Sequence, residues 1–170
     1  MDLYVIVLRL LHLFSGVFWV GTIFFTALFL LPRVKQAGPL GAQFMQRLSQ
    51  PPLTATLSLA AGLVVLSGIL LYWRDSGGFQ VSWIGTPPGL AFALGGLVGL
   101  GAASIGIFVS RPMANRMGGL GREIAASGGQ PNPTQVTEMQ GLSARLERAL
   151  YQTAYLLVLS LIAMAVARYL

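Results

Sequence analysis

The sequence has no cysteine, one histidine and only five acidic residues among 170. Without cysteine, disulfides, thiolate metal sites, iron–sulfur clusters and cysteine nucleophiles are all excluded. None of the five acids falls inside a long apolar run, which disfavours a proton-coupled carrier built on an intramembrane carboxylate. A serine or threonine hydrolase would have to take its base from His12 alone, and no glycine loop of the phosphate-cradling type is present. The six methionines are scattered, with no MxxM or MxM pair within a span, so clustered soft ligands for copper transport are missing.

What is abundant is hydrocarbon. Hydrophobic residues make up 55% of the chain, charged residues 9%, and the mean hydropathy is +0.71, which predicts lipid as the solvent. A bilayer core of about 30 Å takes roughly 20 apolar residues per helix. Four segments meet that length: residues 3–31, 53–73, 88–109 and 149–167. The first, if straight, would reach about 43 Å, so it tilts or its first turns protrude. An N-terminus without a basic leader or a small-residue cleavage site predicts a retained helix.

The net charge of +6 is explained by topology and not by nucleic acid. Arg33, Lys35 and Arg47 lie between the first two spans, and Arg111, Arg116, Arg122, Arg145 and Arg148 between the last two. The opposite side carries Arg74 and Arg168, with Arg9 inside the first apolar stretch. The positive-inside rule therefore predicts both termini outside and the two basic loops in the cytoplasm. The expected fold is an all-α, four-transmembrane-helix, up-down bundle in the inner (plasma) membrane.

The connections differ. Residues 74–87, with Trp73 and Trp83 flanking, read as a short external link along the interface. Residues 41–49, with Phe44, Met45 and Leu48, read as an interfacial turn. Residues 113–133, rich in Gly, Ser, Asn and Pro, read as a mobile loop. A helix then restarts, with Asn132 as cap, Pro133 at its first position and Gln135 completing a capping box. Val136, Met139, Leu142 and Leu146 give it an apolar row, making 113–148 a cytoplasmic loop with an amphipathic helix that feeds the last span. No internal repeat is evident. The third span carries a GxxxG step, Gly95 to Gly99, continued by Ala103, and the second offers Ser58 to Gly62; both suit close helix packing or a dimer seam.

Ionisable groups inside a span are costly and rare. Arg9 and His12 are the two in the first stretch, and at 100° per residue Arg9, His12, Gly16, Trp19 and Ile23 fall on one face. A histidine beside a glycine gap with an aromatic one turn beyond suits an axial ligand to a flat haem b macrocycle. Met164 is the candidate second ligand, and a haem shared by His12 of two subunits is a further arrangement. The same pattern suits an imidazole hydrogen-bonded to a serine or carbonyl of a neighbouring helix as a packing device, or a proton or other metal role.

The run Leu11-His12-Leu13 through Trp19, ending Leu31-Pro32-Arg33-Val34, resembles the first helix of the HemJ-type membrane protoporphyrinogen oxidases and the broader CopD-like integral membrane proteins. The similarity runs at the level of pattern over about the first 117 residues, with a stretch like Phe44 to Leu48, a proline before the second span and a Trp before the third. It implies a four-helix scaffold and a first-helix histidine associated with haem b, here His12. The additional histidines of the HemJ type and the lysine near the start of its third helix have no counterpart, since that region reads Gly85-Thr86-Pro87-Pro88-Gly89-Leu90. The CopD-like relatives imply copper uptake, for which the ligands are absent.

The leading expectation is a membrane protein that binds haem b through His12, with Gly16, Trp19 and, as candidate second ligand, Met164 lining the site, in a redox or cofactor-handling role. The alternative is a non-catalytic accessory subunit of a larger membrane complex of respiratory or photosynthetic type, docked through the row 136–146. Copper or small-molecule transport ranks below both. The expected partners are the bilayer and a homodimer or larger complex, with no nucleic acid.

Overall fold

The structure, a computed structural model, describes residues 2–48 and 52–170. Ser49, the last residue of the expected interfacial turn, lies outside them. Among the described residues there is no strand, and helix follows helix: α1 (Leu3–Phe25), a π-helical segment (Thr26–Leu30), α2 (Leu31–Gln36), α3 (Gly38–Leu48), α4 (Leu53–Asp75), α5 (Val81–Ile84), α6 (Pro87–Ile105), a second π segment (Gly106–Ser110), α7 (Arg111–Ala126), α8 (Pro133–Val166) and a closing 3₁₀ turn (Ala167–Tyr169). Four continuous helical stretches are long and apolar enough to cross a membrane: Leu3–Gln36, Leu53–Asp75, Pro87–Ala126 and Pro133–Tyr169. The third and fourth, with 40 and 37 residues, reach about 55–60 Å and so extend well past a bilayer core of about 30 Å.

The long helices pack chiefly as two pairs, α1 on α4 and α6 on α8, joined by lighter contacts of α4 with α6 and α1 with α8. Small residues fill the inside: Ala60, Ala102 and Ala103 are buried with Trp19 and Leu157 as the large members. Large apolar side chains point outward instead, with Phe14, Val17, Leu97 and Phe108 each at least 65% exposed. Such a surface, large residues out and small ones in, is costly in water and natural against acyl chains, where close backbone approach supplies the attraction between helices.

The first and third long stretches share one device. In each, a π-helical segment precedes a proline, Pro32 and Pro112. Proline lacks the N–H that would continue the ladder and its ring crowds the carbonyl four residues back. Widening by one residue per turn relieves that crowding: the N–H groups of Leu31 and Arg111 reach back five residues, to the Thr26 and Gly106 carbonyls. Pro32 in the same register leaves the Ala27 carbonyl without a backbone donor, and the Tyr151 hydroxyl of α8 donates to it at 3.3 Å. The helix thus continues through the proline with little loss of polar satisfaction.

Residues 113–133, expected as a mobile loop, are corrected by α7. Helix runs to Ala126, and only the short stretch 127–132 turns the chain. Glycines 118, 119 and 121 disfavour helix locally, yet Met113, Met117, Leu120 and Ile124 recur at helical spacing, and Leu120 is 1% exposed. α7 packs on α8, and Arg116 forks onto Glu138 with Nε–Oε1 at 2.7 Å and Nη2–Oε2 at 3.0 Å. Tertiary burial outweighs propensity here.

Start signals at the other helices act locally. The Thr86 hydroxyl accepts from the Gly89 N–H at 3.2 Å. At α8, Asn132 Oδ1 accepts from the Gln135 N–H at 2.8 Å, and the Asn132 N–H donates back to Gln135 Oε1 at 3.0 Å, a complete capping box. The link from α4 to α6 folds around Tyr72, whose ring meets Trp83 edge-on at 5.4 Å and whose hydroxyl donates to the Gly89 carbonyl at 3.2 Å.

Candidate functional site

α1 buries Val5, Leu8 and Trp19, a stripe of helical spacing on which His12 falls. The sequence therefore aims the one histidine at the bundle and not at lipid. Its Nδ1 lies 2.9 Å from the carbonyl oxygen of Val64 and 3.3 Å from Ser67 Oγ, both on α4. A carbonyl oxygen only accepts, so Nδ1 carries the proton. Ser67 spends its own hydrogen on the Leu63 carbonyl at 2.5 Å, which leaves its oxygen free to accept as well. In the neutral ring the lone pair is then on Nε2, for which no hydrogen-bond partner exists among the described residues.

The ring is seated by glycine. A Cβ at Gly68 would stand 2.9 Å from His12 Cε1 and 3.3 Å from Nδ1. One turn away the relation reverses: a Cβ at Gly16 would meet Val64 Cγ2 at 3.3 Å. His12 thus fits over Gly68 while Val64 fits over Gly16, an interlock of residues four apart on each of two helices.

The expected lining residues are therefore distributed as follows. Gly16 adjoins His12 on α1, with its gap occupied by Val64. Trp19 belongs to the buried cluster with Ala60, Ala102, Ala103 and Leu157. Met164 packs on the other helix pair, where a Cβ at Gly95 would stand 2.9 Å from its Cγ. Val64, Ser67 and Gly68 are the α4 residues that sequence reasoning did not single out. Their signal was the adjacent serine and glycine in the second span, but nothing local gives the register that sets them opposite His12.

The GxxxG step faces α8 as glycine packing requires. Gly95 is buried, the Ser160 hydroxyl donates to the Gly95 carbonyl at 2.7 Å, and a Cβ at Gly99 would be 3.2 Å from Ser160 Oγ. The Ser58–Gly62 step differs, since Gly62 has no neighbour within 4 Å at its Cβ position.

As a ligand, His12 offers one nitrogen whose orientation is fixed by a carbonyl behind it, the arrangement metal-bound imidazoles use. No group of three His, Cys, Asp or Glu side chains stands close enough to hold a metal ion among the described residues, so any metal here would bring most of its own ligands, as a macrocycle does. A neutral imidazole nitrogen is a donor type that haem iron accepts. The space for the macrocycle is not within the α1–α4 seam, which Val64 fills.

An open groove of about 570 Å³ runs between α1 and α4, lined by Leu11, Phe14, Phe18, Leu59 and Leu63 among others. The hydroxyls at its wall, Ser15 and Thr56, donate to the Leu11 and Pro52 carbonyls of their own helices. The groove presents almost entirely hydrocarbon.

No protein-family model, curated protein or solved structure matches this chain.

Proposed function

We propose that this chain is a multi-pass protein of the plasma membrane that holds a b-type haem through the Nε2 of His12, in a redox or cofactor-handling role. The observation that carries this is the hydrogen bond from His12 Nδ1 to the Val64 carbonyl at 2.9 Å. It fixes the tautomer, orients the ring and leaves Nε2 as an accepting nitrogen with no hydrogen-bond partner among the described residues. When bound, the haem supplies one-electron exchange; the chain supplies the ligand, its orientation and a water-poor surround. The resemblance of the first helix to HemJ-type and CopD-like proteins supports the same reading. Met164, held against Gly95, is a second ligand only if α8 yields it, so a single protein ligand or His12 from a second copy fits the packing better.

The up-down arrangement with both termini outside is part of this proposal. Two ion pairs support it: Asp2 meets Arg74 at 3.6 Å, joining the start of α1 to the end of α4, and Lys35 meets Glu147 at 2.5 Å, joining the end of α2 to α8. Both are exposed and weak as stabilisers; their value is in marking opposite ends.

The test is an absorption spectrum of detergent-solubilised protein purified from haem-sufficient cells. A Soret band that His12→Ala removes while the protein still folds supports the proposal. A colourless protein that also takes up no added hemin, or a pigment indifferent to His12→Ala, refutes it.

A second reading rests on a different observation. α7 and the first half of α8 form a hairpin past the spans, pinned by Arg116 and Glu138, and Val136 at its end is 38% exposed. This suits an accessory subunit that presents the hairpin to a larger membrane complex. Recovery of a stoichiometric partner in mild detergent, lost when the hairpin tip is replaced, would favour it over the haem protein.

A further inference from the structure

Four arginines gather at one depth of the bundle, and among the described residues none of them pairs with a carboxylate. The depth follows from contacts between helices. On α6 and α8, Gly95 stands opposite Ala163, Gly99 opposite Ser160 and Gly101 opposite Leu156. The two helices run antiparallel, so advancing along α6 means retreating along α8, and the same pairing carried on sets Arg111 beside the α8 turn 145–148. Tyr151 reaches Ala27 and Glu147 reaches Lys35, which sets Arg33 at that level too. Arg33, Arg111, Arg145 and Arg148 therefore form a collar, and all four are exposed.

The collar lies just beyond the outward apolar surface. Phe29 and Phe108, 63% and 74% exposed, precede Arg33 and Arg111 by four and three residues, and Tyr151 and Tyr155 follow Arg148 on α8. The outward phenylalanines belong to the hydrocarbon and the tyrosines suit its edge, so the next turn belongs to head groups. The acids of this end are already engaged: Glu147 with Lys35, and Glu123 and Glu138 with Arg116. Among the described residues Arg33 and Arg148 meet neutral acceptors, Gln36 Oε1 at 3.0 Å and the Ala144 carbonyl at 3.4 Å.

We infer that this collar is a binding site for the phosphodiester of anionic phospholipids, which the four guanidiniums grip while the acyl chains lie on the outward Phe and Leu surface. A guanidinium fork matches phosphate oxygens, and positive charge next to an anionic leaflet attracts lipid by roughly fivefold per basic residue. The inference does not depend on haem.

The experiment uses the full chain in a neutral detergent. Wild-type protein is titrated with phosphatidylglycerol, phosphatidylcholine or inorganic phosphate, with bound lipid counted by native mass spectrometry and thermal stability followed in parallel. We expect phosphatidylglycerol to bind at least about tenfold better than phosphatidylcholine, to raise the unfolding temperature, and to lose both effects in high salt. Replacing Arg33, Arg111, Arg145 and Arg148 together by Gln should abolish the preference, whereas Arg122→Gln, farther along α7, should keep it. Equal retention of the two lipids by wild type overturns the inference even if the fourfold variant fails to insert. So does reproduction of the stabilisation by inorganic phosphate, or an equal loss in Arg122→Gln.

Discussion

Gly68 is what lets His12 reach α4: the imidazole Cε1 lies 2.9 Å from where a Cβ at Gly68 would stand, and the same ring donates to the Val64 carbonyl one turn earlier. Gly68→Ala should therefore push the ring away and break that hydrogen bond. The expected loss is about 1–3 kcal/mol, as for an extra methyl in a filled interior. Gly62→Ala, with nothing within 4 Å of the added methyl, should be neutral or stabilising. Thermal unfolding in detergent distinguishes them, and equal effects would mean that the seam is looser than described.

Tyr151 and Pro32 make a second test. If the hydroxyl replaces the backbone donor that Pro32 lacks, Tyr151→Phe costs about 0.5–1.5 kcal/mol in the natural chain. It should cost less in a Pro32→Ala background, where the ladder can close. A double-mutant cycle reads the coupling, and an unchanged penalty in both backgrounds would contradict the relation.

On the α6–α8 pair, Ser160→Ala should cost about 1 kcal/mol by removing the donor to the Gly95 carbonyl. Gly95→Leu should be far worse, because its side chain would meet the Ser160 carbonyl and Ala163 at about 3.2–3.3 Å as well as Met164. Gly96→Leu, with open space at its Cβ position, provides the control. Recovery of folded protein from membranes gives the ranking.

How much of this was open to inspection in the sequence depends on range. The four apolar stretches announce themselves because hydrocarbon thickness is a length requirement that composition alone can meet. The α8 start was legible because Asn132, Pro133 and Gln135 act on one another within a single turn. α7 was hidden: Gly118, Gly119 and Gly121 argue for a loop, and the burial of Leu120 that overrules them comes from α8. The π segments were hidden likewise, since Pro32 and Pro112 could equally end a helix. His12 stood out as the sole intramembrane imidazole, but its partners are set by the register of α1 on α4, and Ser67-Gly68 looks no different from other small pairs until that register is known.

The α7–α8 hairpin carries a pH dependence. The Arg116 fork is the main cause holding the Glu138 carboxyl below its ordinary value of 4.5, and the same hydrogen bond raises the Arg116 guanidinium. A carboxylate depressed in the folded state stabilises above its unfolded value and loses that contribution as pH falls through the lowered one. Amide exchange in residues 113–139 should therefore rise selectively below the ordinary glutamate range, with the spanning helices unmoved. Glu138→Gln should show the raised exchange already at neutral pH, and a flat profile in the natural chain would count against the clamp.

The most direct measurement takes advantage of the missing cysteines. Ser82→Cys and Ser143→Cys, both at exposed positions, each give one thiol in an otherwise cysteine-free chain. A membrane-impermeant maleimide applied to intact cells should label Ser82→Cys at once and Ser143→Cys only after the membrane is opened. Equal labelling of the two in intact cells would contradict a bundle that crosses the bilayer with these segments on opposite faces.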